Sequence, residues 1–306
     1  MERTGPLNSS FVIRHSSFVN CIWQTIMDLP FSRIGIVGVG LIGGSLGLAL
    51  KKAGWPVHVR GLGRDAAQLS TAVRLGTIDD FATTDRSITL QDRDLVILAT
   101  PVEQILEMLE TAADSLRPGT LVTDVGSTKR RICETARRCL PASVEFIGGH
   151  PIAGREVAGV ENASAALFQD APYVLCPADG LESRGLARLS GMIQGIGARP
   201  CVMSAEEHDR TMAFVSHLPQ ILSTALAGLA AGERLEVSGG GFRDMVRLAG
   251  SPYSVWKGVM ETNADNIELA LEAYVRRLQH LRETLRTDSL AQEFARAALT
   301  YRKINR

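Results

Sequence analysis

Two histidines, a serine and two arginines stand out in this 306-residue sequence for the settings they occupy. His150 lies in the run Gly148 to Gly154, between glycines and Pro151. A loop of that kind offers an imidazole no packing partners, which favours general-base work near neutral pH over a place in a core. The run from Asp124 to Lys129 closes an apolar stretch and places the Ser127 hydroxyl and the Lys129 ammonium at a helix start. His217 stands two residues before Pro219 inside a helical pattern. Proline removes a backbone hydrogen bond and bends the chain there, so the kink re-aims the ring; a packed core histidine is the alternative. Arg243 and Arg247 are four residues apart and share a helix face, partly buried by Met245, Val246 and Leu248. Two arginines and a histidine across a cleft suit an anionic substrate with carboxylates, against the alternative of solvated surface arginines.

These groups need a scaffold, and the stretch from Arg33 to Ser45 supplies its origin. A β-rich apolar run ends at Gly38, and Gly38-x-Gly40-x-x-Gly43 opens an apolar helical pattern. In a dinucleotide-binding turn the first glycine permits the tight bend, the second admits the pyrophosphate, and the third lets helix and strand touch. Gly38, Gly40, Leu41, Ile42 and Gly43 are therefore cofactor-binding candidates, with phosphates facing the helix N-terminus. Thr100 and Pro101 close a neighbouring strand beside the same ligand. An acidic residue at the end of the second strand commonly holds the ribose of NAD. Gly63 takes that position, Arg64 follows, and Asp65 reads as the cap of the next helix. An arginine able to pair with a 2′-phosphate points to NADP, with NAD as the alternative.

Strand and helix signals alternate as far as Met203, the pattern of a doubly wound, mainly parallel sheet. From Ser204 onward the signals are helical: 205–231, 243–249, 252–261, 263–285 and 288–303. The expected organisation is a tail over 1–30, a dinucleotide-binding domain over 31–204 and an all-helical substrate and dimerisation domain over 205–306. Residues 222–231 are apolar nearly all round, so that helix is expected to be buried, against a second subunit if not within its own chain. The tail repeats Ser-Phe-Val at 10–12 and 17–19 and reads as disordered; Arg14 and His15 interrupt any signal-peptide core, and Met27 is a plausible start.

The 33 basic residues balance the 33 acidic ones, which leaves no footprint for nucleic acid. Five scattered cysteines without a CxxC pair read as reduced thiols of a cytoplasmic protein, with no zinc site. No apolar run reaches the ~20 residues of a membrane span.

The ordered set of Gly38–Ser45, Asp124–Lys129, Gly149–Gly154, His208-Asp209, Ser216–Pro219, Gly240–Asp244 and Arg247–Ala249 resembles the prephenate/arogenate dehydrogenase family of tyrosine biosynthesis. The resemblance runs from about 33 to 262. It implies a Rossmann domain, a helical dimerisation domain and an active site in the cleft between them. It further implies oxidative decarboxylation of prephenate or arogenate by NAD(P)+. His150 would take the ring-hydroxyl proton, and Ser127 would bind the same hydroxyl and orient His150. His217 and Arg247 would hold the substrate's carboxylate and side chain, Asp244 would pair with Arg247, and Glu156 and Trp256 would line the cleft. A β-hydroxyacid dehydrogenase shares the architecture but needs a lysine early in the second domain, and none occurs between 130 and 256. A dinucleotide-sensing protein without turnover would leave His150, Ser127 and Arg247 without work.

Overall fold

The computed structural model describes residues 31–83, 90–111, 115–178 and 183–304. The tail over 1–30, with its repeat and Met27, lies outside the described residues. The first half is one eight-stranded sheet in the order β3-β2-β1-β4-β5-β6-β7-β8. Its strands are β1 (Arg33–Val37), β2 (His58–Gly63), β3 (Asp80–Thr83), β4 (Leu95–Leu98), β5 (Leu121–Asp124), β6 (Glu145–Pro151), β7 (Pro172–Pro177) and β8 (Arg199–Val202). All neighbours pair in parallel except β6 and β7, which run antiparallel. The strand order reverses between β1 and β4, and a crevice opens at such a switch point beyond the carboxyl ends of the strands.

Continuous apolar sequence becomes strand here because helices cover both faces. Every residue of β4 and β5 is buried. On one face lie α1 (Leu41–Lys52), α2 (Ala66–Arg74) and α5 (Arg184–Gly195), which contribute Leu46, Leu50, Leu69 and Leu189 to a single core. On the other, α3 (Val102–Thr111) and α4 (Arg130–Cys139) bury Ile105, Leu109 and Ile132. The Rossmann-type expectation holds. The expected strand over 145–148 continues to Pro151, and the short β3 and the 3-10 turn Val160–Asn162 carry too little pattern to be foreseen.

The second half is helical, beginning at α6 (Ala205–Met212), whose first turn is capped by the Ser204 hydroxyl accepting from Glu207 N. A π-helical turn (Ala213–His217) joins it to α7 (Leu218–Leu229), followed by α8 (Gly240–Val246), a 3-10 turn (Arg247–Gly250), α9 (Tyr253–Thr262), α10 (Ala264–Thr284) and α11 (Ser289–Ile304). Pro219 has no N–H for a regular helical bond, and the wide turn just before it absorbs that defect.

One expectation fails in this half, and another is not met within the chain itself. Residues 222–231 are not buried within the chain: Ser223 is buried, but Leu229 is 81% exposed. The continuous helix Ala205–Leu229 is also long and apolar enough to cross a bilayer by length and composition, contrary to the sequence expectation. A count of uninterrupted apolar residues missed it because Ser216, His217, Gln220, Ser223 and Thr224 break the run without carrying a fixed charge.

Candidate active site

The glycine turn has the expected geometry. Gly38 adopts φ of +93°, and its N–H donates to Leu62 O at 2.8 Å, tying the turn to the end of β2. A Cβ on Gly43 would lie 2.2 Å from Gly38 O, so helix and strand are in direct contact. A Cβ on Gly40 would meet nothing within 4 Å, and the turn is open on that side. Gly40 caps α1 without a side-chain bond, and no acidic residue occupies the first turn, which leaves the helix N–H groups to an anion. These residues fit a pyrophosphate. A cleft of about 310 Å³ continues past them, bordered by Gly63, Arg64, Asp65, Thr100 and Met108. The Asp65 carboxylate is engaged as a helix cap, accepting from Ala67 N at 2.8 Å and Gln68 N at 3.1 Å. Leu41 and Ile42 are half-buried in the first turn of α1, and Pro101 is exposed just ahead of α3.

Beside this turn, a buried polar network fixes the ends of β5 and β6. The Asp124 carboxylate accepts from Gly126 N at 2.8 Å, from Gly149 N at 3.0 Å and from the Lys129 ammonium. Lys129 is fully buried and also donates to Gly149 O at 2.7 Å. A buried ion pair is tolerable only when further hydrogen bonds support it, and here Asp124 accepts from two backbone N–H groups while Lys129 reaches a carbonyl.

His150 follows Gly149 directly. It sits inside β6, half-buried, and not on a loop as its glycines suggested; the antiparallel partner β7 extends the strand past them. Its Nδ1 lies 2.8 Å from His208 Nε2, and Ser127 makes no hydrogen bond to it. Ser127 is half-buried in the loop before α4, which starts at Arg130. His208 Nδ1 is in turn 2.7 Å from Asp209 Oδ1. The Asp209 carboxylate also accepts from Lys129 N at 2.7 Å and Arg130 N at 2.9 Å, so a residue of α6 caps α4 across the domain junction. Thr128 with Thr262 (2.7 Å) and Arg130 with Asp265 (2.7 Å) pin the same junction. Burial pushes the pKa of His150 well below the ordinary imidazole value, with the neighbouring His208 ring and the Lys129 ammonium adding to the effect. Burial lowers His208 as well.

The helical wall is less tightly made. His217 is 1% exposed, so it is a packed histidine as well as a re-aimed one. Its Nδ1 lies 3.2 Å from Asn263 Nδ2, and its ring meets Trp256 edge-on at 6.1 Å between centroids. Burial brings its pKa down to about 4. Trp256 borders a cleft of about 370 Å³ in the helical half, together with Gln220 and Tyr253. Arg247 pairs with Glu156 and not with Asp244, because α8 ends at Val246 and the following 3-10 turn swings the guanidinium toward the loop after β6. Both partners are more than half exposed. Arg243, Asp244 and Met245 are exposed too, so α8 is not the half-buried helix its apolar residues suggested.

Comparison with known proteins places the chain in a family. The model of the prephenate dehydrogenase nucleotide-binding domain matches residues 46–202, and that of the prephenate dehydrogenase dimerization domain matches 204–297. The chain belongs to the prephenate dehydrogenase family. It is 36% identical to a prephenate dehydrogenase of Bacillus subtilis over 264 residues, which is 84% of this chain and 71% of the relative. Among solved structures, it resembles a prephenate dehydrogenase from A. aeolicus in complex with hydroxyphenyl propionate and NAD+. There the TM-score is 0.82 and the identity 29%, over 89% of this chain and 98% of that one. Synechocystis arogenate dehydrogenase gives a TM-score of 0.78 at 30% identity, over 89% and 99% of the two chains. The chain is thus an oxidoreductase of this family with a nucleotide-binding half. Among the described residues no cluster of potential metal ligands occurs, and Cys133, Cys139, Cys176 and Cys201 are free.

Asp124, Lys129, His208, Asp209 and Asn263 form the site's buried framework, and single residue types gave little sign of it. The adjacent His208-Asp209 pair, one turn into the first helix after the fold changes, was the available signal.

Proposed function

We propose that this protein oxidatively decarboxylates prephenate or arogenate, giving 4-hydroxyphenylpyruvate or tyrosine and carbon dioxide. The observation that carries the reading is His150, fixed at the carboxyl end of β6 with one ring nitrogen engaged and the other unbonded within the protein. The glycine turn, with Leu41, Ile42, Thr100 and Pro101, would hold the dinucleotide, which when bound supplies the two-electron acceptor. His150 accepts the ring-hydroxyl proton as the carbinol carbon is oxidised. Loss of the ring carboxylate as carbon dioxide sends its electron pair through the ring to the new carbonyl oxygen. The phenolate so formed takes the proton back from His150, and the ring is aromatic. Aromatisation supplies much of the driving force, so the protein mainly positions groups and places one base. Ser127 offers a hydroxyl to the same oxygen, while Arg247 and His217 provide carboxylate-binding donors on the helical side. Glu156 holds Arg247 in the free protein, and Trp256 fixes the His217 ring.

NADP is the preferred cofactor in this reading, with NAD as the alternative. Gly63 and Arg64 border the cleft, and the nearest carboxylate, Asp65, is occupied by the α2 backbone. The working form is a homodimer in the cytoplasm, held through the helical domain. Steady-state rates with prephenate and arogenate, each with NAD and NADP, test the reading alongside His150→Ala. One substrate should turn over, and the variant should lose about 10²–10⁴ in kcat while still binding cofactor. Cofactor binding with no turnover of either substrate would overturn it in favour of a dinucleotide sensor.

A further inference from the structure

We propose that His208, held by Asp209, is a positioning residue that fixes His150 as the tautomer with its proton on Nδ1 and its lone pair on Nε2. The inference rests on the reading of His150 as the base, and it follows from counting donors. The Asp209 carboxylate can only accept, and it already receives the N–H groups of Lys129 and Arg130. His208 Nδ1, 2.7 Å away, must therefore carry a proton. A neutral imidazole has one donor and one acceptor, so His208 Nε2 is a bare acceptor. His150 Nδ1, 2.8 Å from that nitrogen, must then donate, and His150 Nε2 is left with the lone pair.

The environment keeps the chain in that order. His208 is fully buried, and its ring meets that of His150 in a T-shaped contact with centroids 5.1 Å apart. The charged and titratable groups facing the two rings are Lys129 and Asp124 from the β5–α4 junction, Asp209 on α6, and His217 in the π turn. Burial and the Lys129 ammonium oppose a second proton on either ring in the resting state. When His150 takes a proton on Nε2, both its nitrogens are donors, and the Nδ1 bond to His208 is already made. The cation is then linked through one neutral ring to the Asp209 carboxylate, so forming it requires no rearrangement. Without His208 the Nδ1 proton would have no acceptor, and the Nε2–H tautomer, which cannot take the substrate proton, would compete.

Two measurements test this, and the first does not depend on turnover. Two-dimensional long-range ¹H–¹⁵N spectra of the histidine-labelled protein identify which nitrogen of His150 is protonated, with His150→Gln giving the assignment. The proton should be on Nδ1 near pH 7; a proton on Nε2 overturns the proposal whatever the substrate proves to be. The second compares His208→Leu, which removes the acceptor, with His208→Gln, whose carbonyl can accept from Nδ1. His208→Leu should lower kcat roughly 10- to 100-fold, leave KM and cofactor affinity within about two-fold, and shift the acidic limb of the pH–kcat profile. His208→Gln should recover most of the rate. Equal rates in wild type and a folded His208→Leu would also overturn the proposal. If no family substrate reacts while the spectra show the Nδ1 proton, the function reading fails and the tautomer assignment stands.

Discussion

In the nucleotide-binding half, β4 and β5 hide every side chain, whereas the helical half leaves Leu229, Phe294 and Leu299 at 58% exposure or more. Among the described residues, the buried apolar cluster at the centre of the helical half amounts to Ala213, Leu218, Ile267 and Ala270. The ion pairs differ as well. Lys129 and Asp124, inside the first half, are wholly buried and hydrogen-bonded, while Arg247 and Glu156, which join the two halves, pair in solvent. The first half therefore holds its apolar frame by itself, while its site is completed by His208 and Asp209 from the helical half. The second supplies polar groups to the cleft on a frame that lacks a complete core, as a dimerisation domain would without its mate.

The contrast is open to direct attack, beginning where the effect should be greatest. Lys129→Ala strands the Asp124 carboxylate in the interior and should cost about 3–5 kcal/mol of unfolding free energy, read by urea titration. Ile97→Ala in β4 should cost about 2–5 kcal/mol, independent of protein concentration. Leu229→Glu with Phe294→Glu should behave differently: light scattering should give a monomer, and the concentration dependence of Tm should vanish. A double variant that stays dimeric would place the subunit contact on another face.

Acidification should reach the helical half through His217. Its folded pKa of about 4 lies below the unfolded value, so between these values the unfolded chain binds more protons. Stability is therefore full above the unfolded pKa and falls as pH drops toward 4. The loss from this residue between pH 7 and pH 5 should be about 2 kcal/mol, and urea titrations of wild type and His217→Asn at both pH values measure it. The smallest effect is expected at the exposed pair: Glu156→Gln should change stability by less than about 1 kcal/mol. Its consequence should appear in KM for the carboxylate substrate, since Arg247 loses its resident partner.

Local chemistry made much of this protein legible from its sequence alone. The glycine turn, the strand–helix alternation, the Asp65 cap and the change to helices at Ser204 all follow from backbone freedom, hydrophobic period and capping, which act over a few residues. His150 and Arg247 were visible as site candidates by residue type and setting. Their pairings were not: Glu156 was expected along the cleft and His208 within a motif, neither as the partner of these two. Arg247 meets Glu156 91 positions away, and His150 meets His208 58 positions away, because a 3-10 turn and a domain junction bring them together. Hydrogen-bond partners depend on distances of a few tenths of an ångström, and periodicity carries no information at that scale. The exposure of α7 was hidden for a related reason: an apolar helix announces that it must be covered, and only the packing of the whole chain decides whether its own residues can do so.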